Sequence, residues 1–589
     1  MSMNYTLKSA TARDAKSEVT LRDGLRQFNP LMTGEGRAVT ISLLAILASS
    51  TASLLAPTII GHGVDDYIRL KDSPGLLRQT ALLMAVFLVG VIASYTQVRT
   101  MGATGRRLLF RLRNALFSKL QELPVAFFNQ NKAGDLISRL NNDTDKLNQF
   151  ISQALMQFMG NIFMMAGAGM FLLSLNLRLG AAALLPGVIV LLITRLTGRW
   201  VKNKNLKSLQ GLGGMSAEIQ ESLNNFKVIV AFNRVDYFRR KFEGANQINY
   251  TTSTSAGYAN SLFIPLYGLA STLAQLVVIV YGINLIQTRQ ITMGLLISFL
   301  LYVNNFYFPL RQLASIWSSF QMGLAAIDRI SDVLALESNM PVLSPSTIDS
   351  SAVLSFRNVS FEYPGGKKVL HDATFDLEQG KAYALVGPTG GGKTTTASLM
   401  ARLYDPGQGA VYLHGRDIRS YTPGERAKKI GFILQDPFLF TGTVRENIAY
   451  GNDDYKDFTT KQMAAILEES NLTGLMDRFS EGLDTKVMSS GNSISLGQKQ
   501  LIAFMRAALR KPELLILDEA TANVDTVTEQ LLEEILAKLP ATTTKVIIAH
   551  RLNTIDNVNQ IFFINACEIL HAGSMEHAVD MLLHGRRAS

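Results

Sequence analysis

An all-α domain of six transmembrane helices followed by an α/β nucleotide-binding domain is the fold this 589-residue sequence predicts, and three observations carry that expectation. Apolar runs near the ~20 residues that a helix needs to cross a bilayer fill the first half of the chain and are missing from the second. Long basic stretches patterned as helices separate the second run from the third and the fourth from the fifth. Beyond residue 350 short β-rich runs alternate with helical patterns, as in an α/β unit, and one turn among them reads Gly-Pro-Thr-Gly-Gly-Gly-Lys-Thr.

Taken in order, residues 1–35 are mixed charged and polar. They are expected to form a partly disordered cytoplasmic segment, with a short amphipathic piece at 21–28 and no cleavable signal peptide. The membrane domain is expected over 36–335, with spans at about 39–60, 80–95, 154–175, 177–196, 262–286 and 293–313; the third and fourth form a tight pair around Asn176 and Arg178. Helices are required because lipid cannot satisfy an open backbone.

Between spans two and three lie Arg99, Arg106, Arg107, Arg111, Arg113, Lys119, Lys132, Arg139 and Lys146; between four and five lie Lys202, Lys204, Lys207, Lys227, Arg234 and Arg239–Lys241. The other connections are short or less basic. The basic stretches therefore face the cytoplasm, as do both termini. The net charge of +10 lies largely in these stretches, so it argues for a membrane surface and against a nucleic-acid partner. A single cysteine, Cys567, excludes an intrachain disulfide.

Pro341, Ser344, Pro345, Ser346 and Asp349 mark a linker over 336–351. The nucleotide-binding domain is expected over 352–589, with strands at 352–363, 382–386, 429–435, 514–518 and 545–550. The run 387–394 (Gly387, Pro388, Thr389, Gly390, Gly391, Gly392, Lys393, Thr394) follows a buried strand and opens a helix over 393–403, the context a phosphate-binding loop needs. Its glycines let backbone N–H groups curl round phosphate oxygens, and the helix N-terminus adds a positive dipole end. Lys393 is placed to neutralise β/γ-phosphate charge, and Thr394 to set its hydroxyl on Mg²⁺. Downstream, Leu514–Leu517 are apolar and end in Asp518 and Glu519. A buried strand places such carboxylates at the ligand-binding edge of the sheet. Asp518 is expected to hold Mg²⁺ through water, and Glu519 to act as general base for the attacking water.

Between these motifs stands Ile494-Ser495-Leu496-Gly497-Gln498. With this ordered trio the chain resembles the ATP-binding cassette (ABC) exporters, half-transporters with fused membrane and nucleotide domains, over roughly residues 35–580. The resemblance extends the ATP site to Thr395 and makes Ser495, Gly497 and Gln498 the signature loop, which faces the γ-phosphate held by the opposite subunit. It implies further that Tyr363 stacks on adenine, that Gln435 links Mg²⁺ and water to the membrane domain, that Asp525 lies in a loop crossing the dimer interface, and that His550 contacts the γ-phosphate and orders Glu519. Pro124-Val-Ala-Phe-Phe with Gly134-Asp-Leu-Ile-Ser-Arg resembles the family's first intracellular loop, and Glu221-Ser-Leu with Lys227-Val-Ile-Val-Ala-Phe its second.

Leu496 replaces the first glycine of Leu-Ser-Gly-Gly-Gln, Leu501 stands where Arg is common, and Ser489 stands for a usual glutamate. Such changes occur in subunits of asymmetric heterodimers and in homodimers, so both remain open. Polar and aromatic residues gather in the spans: Gln153, Gln157, Asn161, Tyr258, Asn260, Tyr267, Gln275, Tyr281, Asn284, Tyr302 and Asn304–Tyr307, with Met156, Met159, Met164, Met165 and Met170. A neutral, Met-rich cavity suits amphiphiles; helix–helix packing is the competing reading. The resemblance thus implies ATP- and Mg²⁺-dependent export of a drug-like, lipid-like or peptide-like amphiphile across the inner (cytoplasmic) membrane by a dimer of half-transporters; a dedicated lipid flippase is the alternative.

Overall fold

The computed structural model describes residues 5–7, 33–364, 366–452, 454–470, 472–488, 494–518, 526–548, 558–572 and 576–577. The chain divides into two compact units, a membrane unit (Lys8–Gln121 and Gly134–Ala335) and a nucleotide unit (Met1–Leu7, Glu122–Ala133 and Leu336–Ser589).

The membrane unit is helical: α1 (Gly36–His62), α2 (Ser73–Glu122), α3 (Leu155–Leu175), α4 (Leu177–Asn224), α5 (Val235–Ser261), α6 (Phe263–Gln287) and α7 (Met293–Leu334), with short helical pieces before α3. Among the described residues six helical stretches are long and apolar enough to cross a membrane. The expected spans are only the apolar parts of these helices. At 50 residues α2 is about 75 Å long, more than twice the hydrocarbon thickness of a bilayer. The basic residues Arg99–Lys119 continue on the same helix, because no proline interrupts the chain between residue 95 and Pro124, just beyond the helix end at Glu122.

Asn176 sets the break between α3 and α4. Its backbone is extended (φ −157°, ψ 112°), and its side chain accepts the Leu179 N–H at 3.0 Å, an N-cap. The turn is tight: a Cβ on Gly180 would lie 2.2 Å from the Leu172 carbonyl oxygen. Ala168, Ala183, Ala270 and Ala274 are buried in the bundle core with Leu172, Val278 and Phe299, small residues that let helices approach closely. Elsewhere in the unit Asp143 is fully buried and pairs with Arg329, while Arg139 donates to Asp135 (2.9 Å) and to the Arg329 carbonyl (2.8 Å). Buried charges need such partners.

Among its described residues the nucleotide unit holds three sheets. Strands β1 (Leu354–Tyr363), β2 (Lys367–Leu377), β4 (Gln408–Leu413) and β5 (Arg416–Asp417) form an antiparallel sheet in the order β2-β1-β4-β5. A six-stranded sheet combines β3 (Ala382–Val386), β6 (Ile430–Ile433), β9 (Leu514–Asp518), β10 (Thr544–Ile548), β11 (Gln560–Asn565) and β12 (Glu568–His571) in the order β12-β11-β3-β10-β9-β6. Only β12 runs antiparallel there. A small pair, β7 (Gly442–Thr443) and β8 (Lys486–Val487), completes the set. One core lies between the two large sheets, with Phe356 stacked on Phe375 at 4.5 Å. A second gathers around the helix Leu496–Leu509. Ile548 pairs in register with both Asp518 and Leu385, and Ile433 with Leu517, so β3, β10, β9 and β6 all end at one edge.

Within residues 1–35, expected to be partly disordered, the stretches 5–7 and 33–35 are described. Tyr5 is 1% exposed, packed in the nucleotide unit against residues 127–131 and 337–339. The amphipathic piece at 21–28 lies outside the described residues.

Candidate functional site

The phosphate-loop sequence follows β3 and leads into α8 (Lys393–Met400), shorter than the expected 393–403. Gly387, Gly390 and Gly392 have φ of +147°, +79° and +115°, which only glycine adopts readily. Space enforces the choice at Gly387, where a Cβ would sit 2.1 Å from the Ile564 carbonyl oxygen on β11. Pro388, Thr389 and Gly390 are exposed at the crest, and the Gly391 N–H closes on the Pro388 carbonyl at 3.0 Å. Lys393 is only 6% exposed; its ammonium reaches back to the Gly387 and Pro388 carbonyls at 2.8 and 3.1 Å. The cation is thus folded over its own loop, where anionic oxygens would attract it.

The Thr394 hydroxyl donates to Asp518 Oδ1 at 3.3 Å, with the carboxylate 5% exposed at the end of β9. An exposed hydroxyl beside a buried carboxylate is a hard oxygen pair of the kind Mg²⁺ takes, with its other positions left for waters and phosphate; the residues fit that ion. Thr395, buried one residue on, shares a 3.0 Å hydrogen bond with the Tyr363 hydroxyl at the end of β1. Gln435 is exposed two residues beyond β6, so the expected strand 429–435 stops short of it.

Ser495 caps α9 (Leu496–Leu509). Its Oγ accepts the Gln498 N–H at 3.2 Å, while Gln498 Oε1 accepts the Ser495 N–H at 2.9 Å. This reciprocal capping box was legible as Ser-x-x-Gln but is missing from the motif-based reading. Gly497 is buried, and a Cβ there would stand 3.0 Å from Thr528 Oγ1; Leu496 between them is half-buried. Glu519, Asp525 and His550 lie outside the described residues, as does Ser489. The strands that Glu519 and His550 follow in sequence, β9 and β10, are parallel neighbours with matched ends.

Sequence reasoning missed Tyr404 and Asn129. The Tyr404 ring meets Tyr363 edge-on at 5.5 Å, and its hydroxyl accepts from Asn129 Nδ2 at 2.7 Å, on the short helix Val125–Gln130. Burial raises the Tyr404 phenol above its ordinary range, with the Asn129 hydrogen bond and Tyr363 acting as smaller influences. No local signal announces a contact across 275 residues.

In the membrane unit a cavity of about 640 Å³ is lined by Ser49, Ser53, Phe87, Asn161, Asn304 and Asn305 among others, and among the described residues its wall holds no ionisable side chain. Asn161, Met164, Asn304 and Asn305 are where cavity residues were expected. Other expected members serve packing instead. Tyr302 bonds Thr58 Oγ1 and the Leu54 carbonyl, both at 2.6 Å. Tyr307 accepts the Gly187 N–H at 2.8 Å and donates to the Ala183 carbonyl at 2.9 Å, and Tyr267 meets Thr194 at 3.0 Å. A buried phenol must find such a partner.

A phosphate loop on a parallel sheet, joined to a six-span helical unit, defines a membrane-bound nucleotide-driven machine. Residues 39–310 match the ABC transporter transmembrane region and residues 370–522 the ABC transporter ATP-binding domain. The chain is 34% identical to the uncharacterized ABC transporter ATP-binding protein YfiC of Bacillus subtilis, over 97% of this chain and 94% of that one. It is 32% identical to the fatty acid ABC transporter ATP-binding/permease protein of Mycobacterium tuberculosis (85% and 79% covered). It is 28% identical to a multidrug resistance ABC transporter ATP-binding and permease protein of Lactococcus lactis (92% and 90% covered). The chain belongs to the ABC transporter family: it is an exporter-type half-transporter, a multi-pass membrane protein whose ATPase is coupled to transport.

Proposed function

We propose that two half-transporters, identical or paralogous, assemble in the cytoplasmic membrane with both termini inside, and export an uncharged amphiphile by alternating access. ATP would be held between the nucleotide domains, by the phosphate loop of one and the signature of the other. Lys393 binds the β/γ-phosphates, the Gly387–Gly392 amides cradle them, and Tyr363 supports the adenine. Thr394, Asp518 and Gln435 would hold Mg²⁺, which neutralises phosphate charge when bound. Glu519 takes the proton of the attacking water, His550 orders Glu519, and Ser495, Gly497, Gln498 and Asp525 face the opposite site. The observation that carries this reading is the common edge of β3, β9 and β6, where Thr394 meets Asp518 at 3.3 Å.

The substrate class rests on the cavity wall. Serines, amides, Phe87 and Phe308 without a cation suit a ligand that is apolar and hydrogen-bonding but not anionic. The relatives' names divide between drugs and fatty acids, and the missing cation favours the neutral side. ATPase of the reconstituted transporter, assayed with uncharged amphiphiles and with long-chain fatty acids, tests this. Stimulation by several uncharged compounds is expected. Stimulation by the fatty-acid anions alone would overturn the substrate class, and a response to one membrane lipid alone would favour a flippase.

Leu496 gives a test of assembly. In a homodimer both sites carry it, and Leu496→Gly should change turnover at both, most simply upward by relieving an apolar bulk at the signature loop. In a heterodimer this chain's phosphate loop meets the partner's signature, so the fast site should barely respond. Active transporter purified from a host without related cassette genes would defeat the heterodimer version.

A further inference from the structure

Tyr5 and Gln130 are 125 residues apart in sequence, yet the Tyr5 N–H donates to Gln130 Oε1 at 2.8 Å. Asn131 completes the seam: its Nδ2 donates to the Tyr5 carbonyl at 3.0 Å, and its Oδ1 accepts the Leu7 N–H at 2.9 Å. One side-chain amide thus pairs with two backbone groups of the N-terminal segment, as a neighbouring strand would. The Tyr5 ring meets Phe127, itself fully buried, edge-on at 6.3 Å. Its hydroxyl accepts the Asn339 N–H at 2.7 Å and has Asn339 Oδ1 (2.9 Å) and the Glu337 carbonyl (3.1 Å) as acceptors for its single proton. Ring, hydroxyl and backbone of one residue therefore tie the loop-tip helix Val125–Gln130 to the linker that leads into β1.

That helix carries the Asn129 that bonds Tyr404, and Tyr404 lies edge-on against Tyr363, whose hydroxyl bonds Thr395 on α8. A continuous set of contacts runs from the N-terminal segment to the helix that opens behind the phosphate loop.

We propose that Tyr5 is a positioning residue for the ATP site: the N-terminal segment clasps the tip of the first intracellular loop to the linker and so keeps Asn129 seated on Tyr404, fixing the aromatic wall at Tyr363. The clasp explains why an aromatic residue is buried within an otherwise polar N-terminal stretch. It also assigns residues 5–7 to the control of nucleotide affinity. Burial raises the phenol's pKa further from neutrality, so the hydroxyl is a neutral donor across the physiological range.

The test uses the full-length transporter in phosphatidylethanolamine–phosphatidylglycerol nanodiscs, read by hydrogen exchange and by steady-state ATPase. Tyr5→Ala removes ring and hydroxyl together. It should speed exchange of the 125–131 amides roughly 10-fold and raise KM for ATP about 3-fold, with kcat within about twofold of wild type. Tyr5→Phe keeps the ring on Phe127 and loses only the linker bonds. It should speed exchange over 337–340 and, because the tie to the linker is cut while the ring stays on Phe127, give rises in KM and in 125–131 exchange smaller than those of Tyr5→Ala. Wild-type exchange over 125–131 in Tyr5→Ala would overturn the clasp. A fall in kcat at unchanged KM would overturn the positioning role, because that pattern reports general damage. A wild-type transporter without ATPase would count against the catalytic reading instead, and the exchange arm alone would then decide the clasp.

Discussion

Glu519→Gln is expected to leave ATP bound and nearly stop its consumption. Glu519 directly follows Asp518, the last residue of β9, and β9 is buried along its whole length. In sequence Glu519 thus comes directly after the carboxylate that meets Thr394. The substitution is close to isosteric and removes only the capacity to accept a proton. Turnover should fall on the order of 10²-fold or more, with ATP affinity kept. ATPase rates and nucleotide binding on the purified variant measure both halves of the claim. A variant that hydrolyses at the wild-type rate, in a preparation with one type of subunit, would exclude Glu519 as the base.

Lys393→Ala should act on binding instead. The Lys393 ammonium is buried and lies across the loop between the Gly387 and Pro388 carbonyls. Those carbonyls are weak partners beside phosphate oxygens, so the cation is positioned to transfer to the nucleotide. Its loss removes charge-assisted hydrogen bonds of ~1.5–3 kcal/mol, which converts to an ATP Kd raised about 10- to 100-fold. Equilibrium binding of a fluorescent ATP analogue reports this directly. Near-wild-type affinity would move the phosphates away from Lys393.

The two variants probe parts of the site that were legible in the sequence, and the reason is physical. Strands β3 and β9 are covered on both faces, so they read as unbroken apolar runs ending in the chemistry-bearing residues. The phosphate loop is legible because its left-handed φ values are a local constraint that glycine meets readily; the close approach of Ile564 at Gly387 adds a tertiary one.

Other features had no such signature. In β2, Asp372 takes φ +49° and the pairing with β1 shifts register near it, which breaks the period-two alternation. The β11–β12 hairpin turns at Ala566 and Cys567, both at positive φ, without the Asn-Gly or Asp-Gly pair that marks such a turn. The basic stretch after the second span reads as helical, but its continuity with the span in a single α2 does not, because hydropathy ends with the bilayer while helix propensity does not. Tertiary pairings were beyond reach altogether. Tyr5 with Gln130, and Asn129 with Tyr404, are set by the packing of distant segments rather than by any local pattern. The membrane tyrosines show the converse: Tyr302 and Tyr307 attract attention as cavity residues, and their hydroxyls are already engaged by backbone carbonyls.

The central claim is that ATP is consumed at a site completed by a second half-transporter. Native mass measurement of the Glu519→Gln protein, purified from its own membranes with ATP and Mg²⁺, tests it most directly. The account predicts a particle of two half-transporters with two ATP molecules retained, its mass showing whether the partner is a second copy or a paralogue. A particle containing a single chain, from a preparation whose unsubstituted counterpart hydrolyses ATP at full rate, would contradict it.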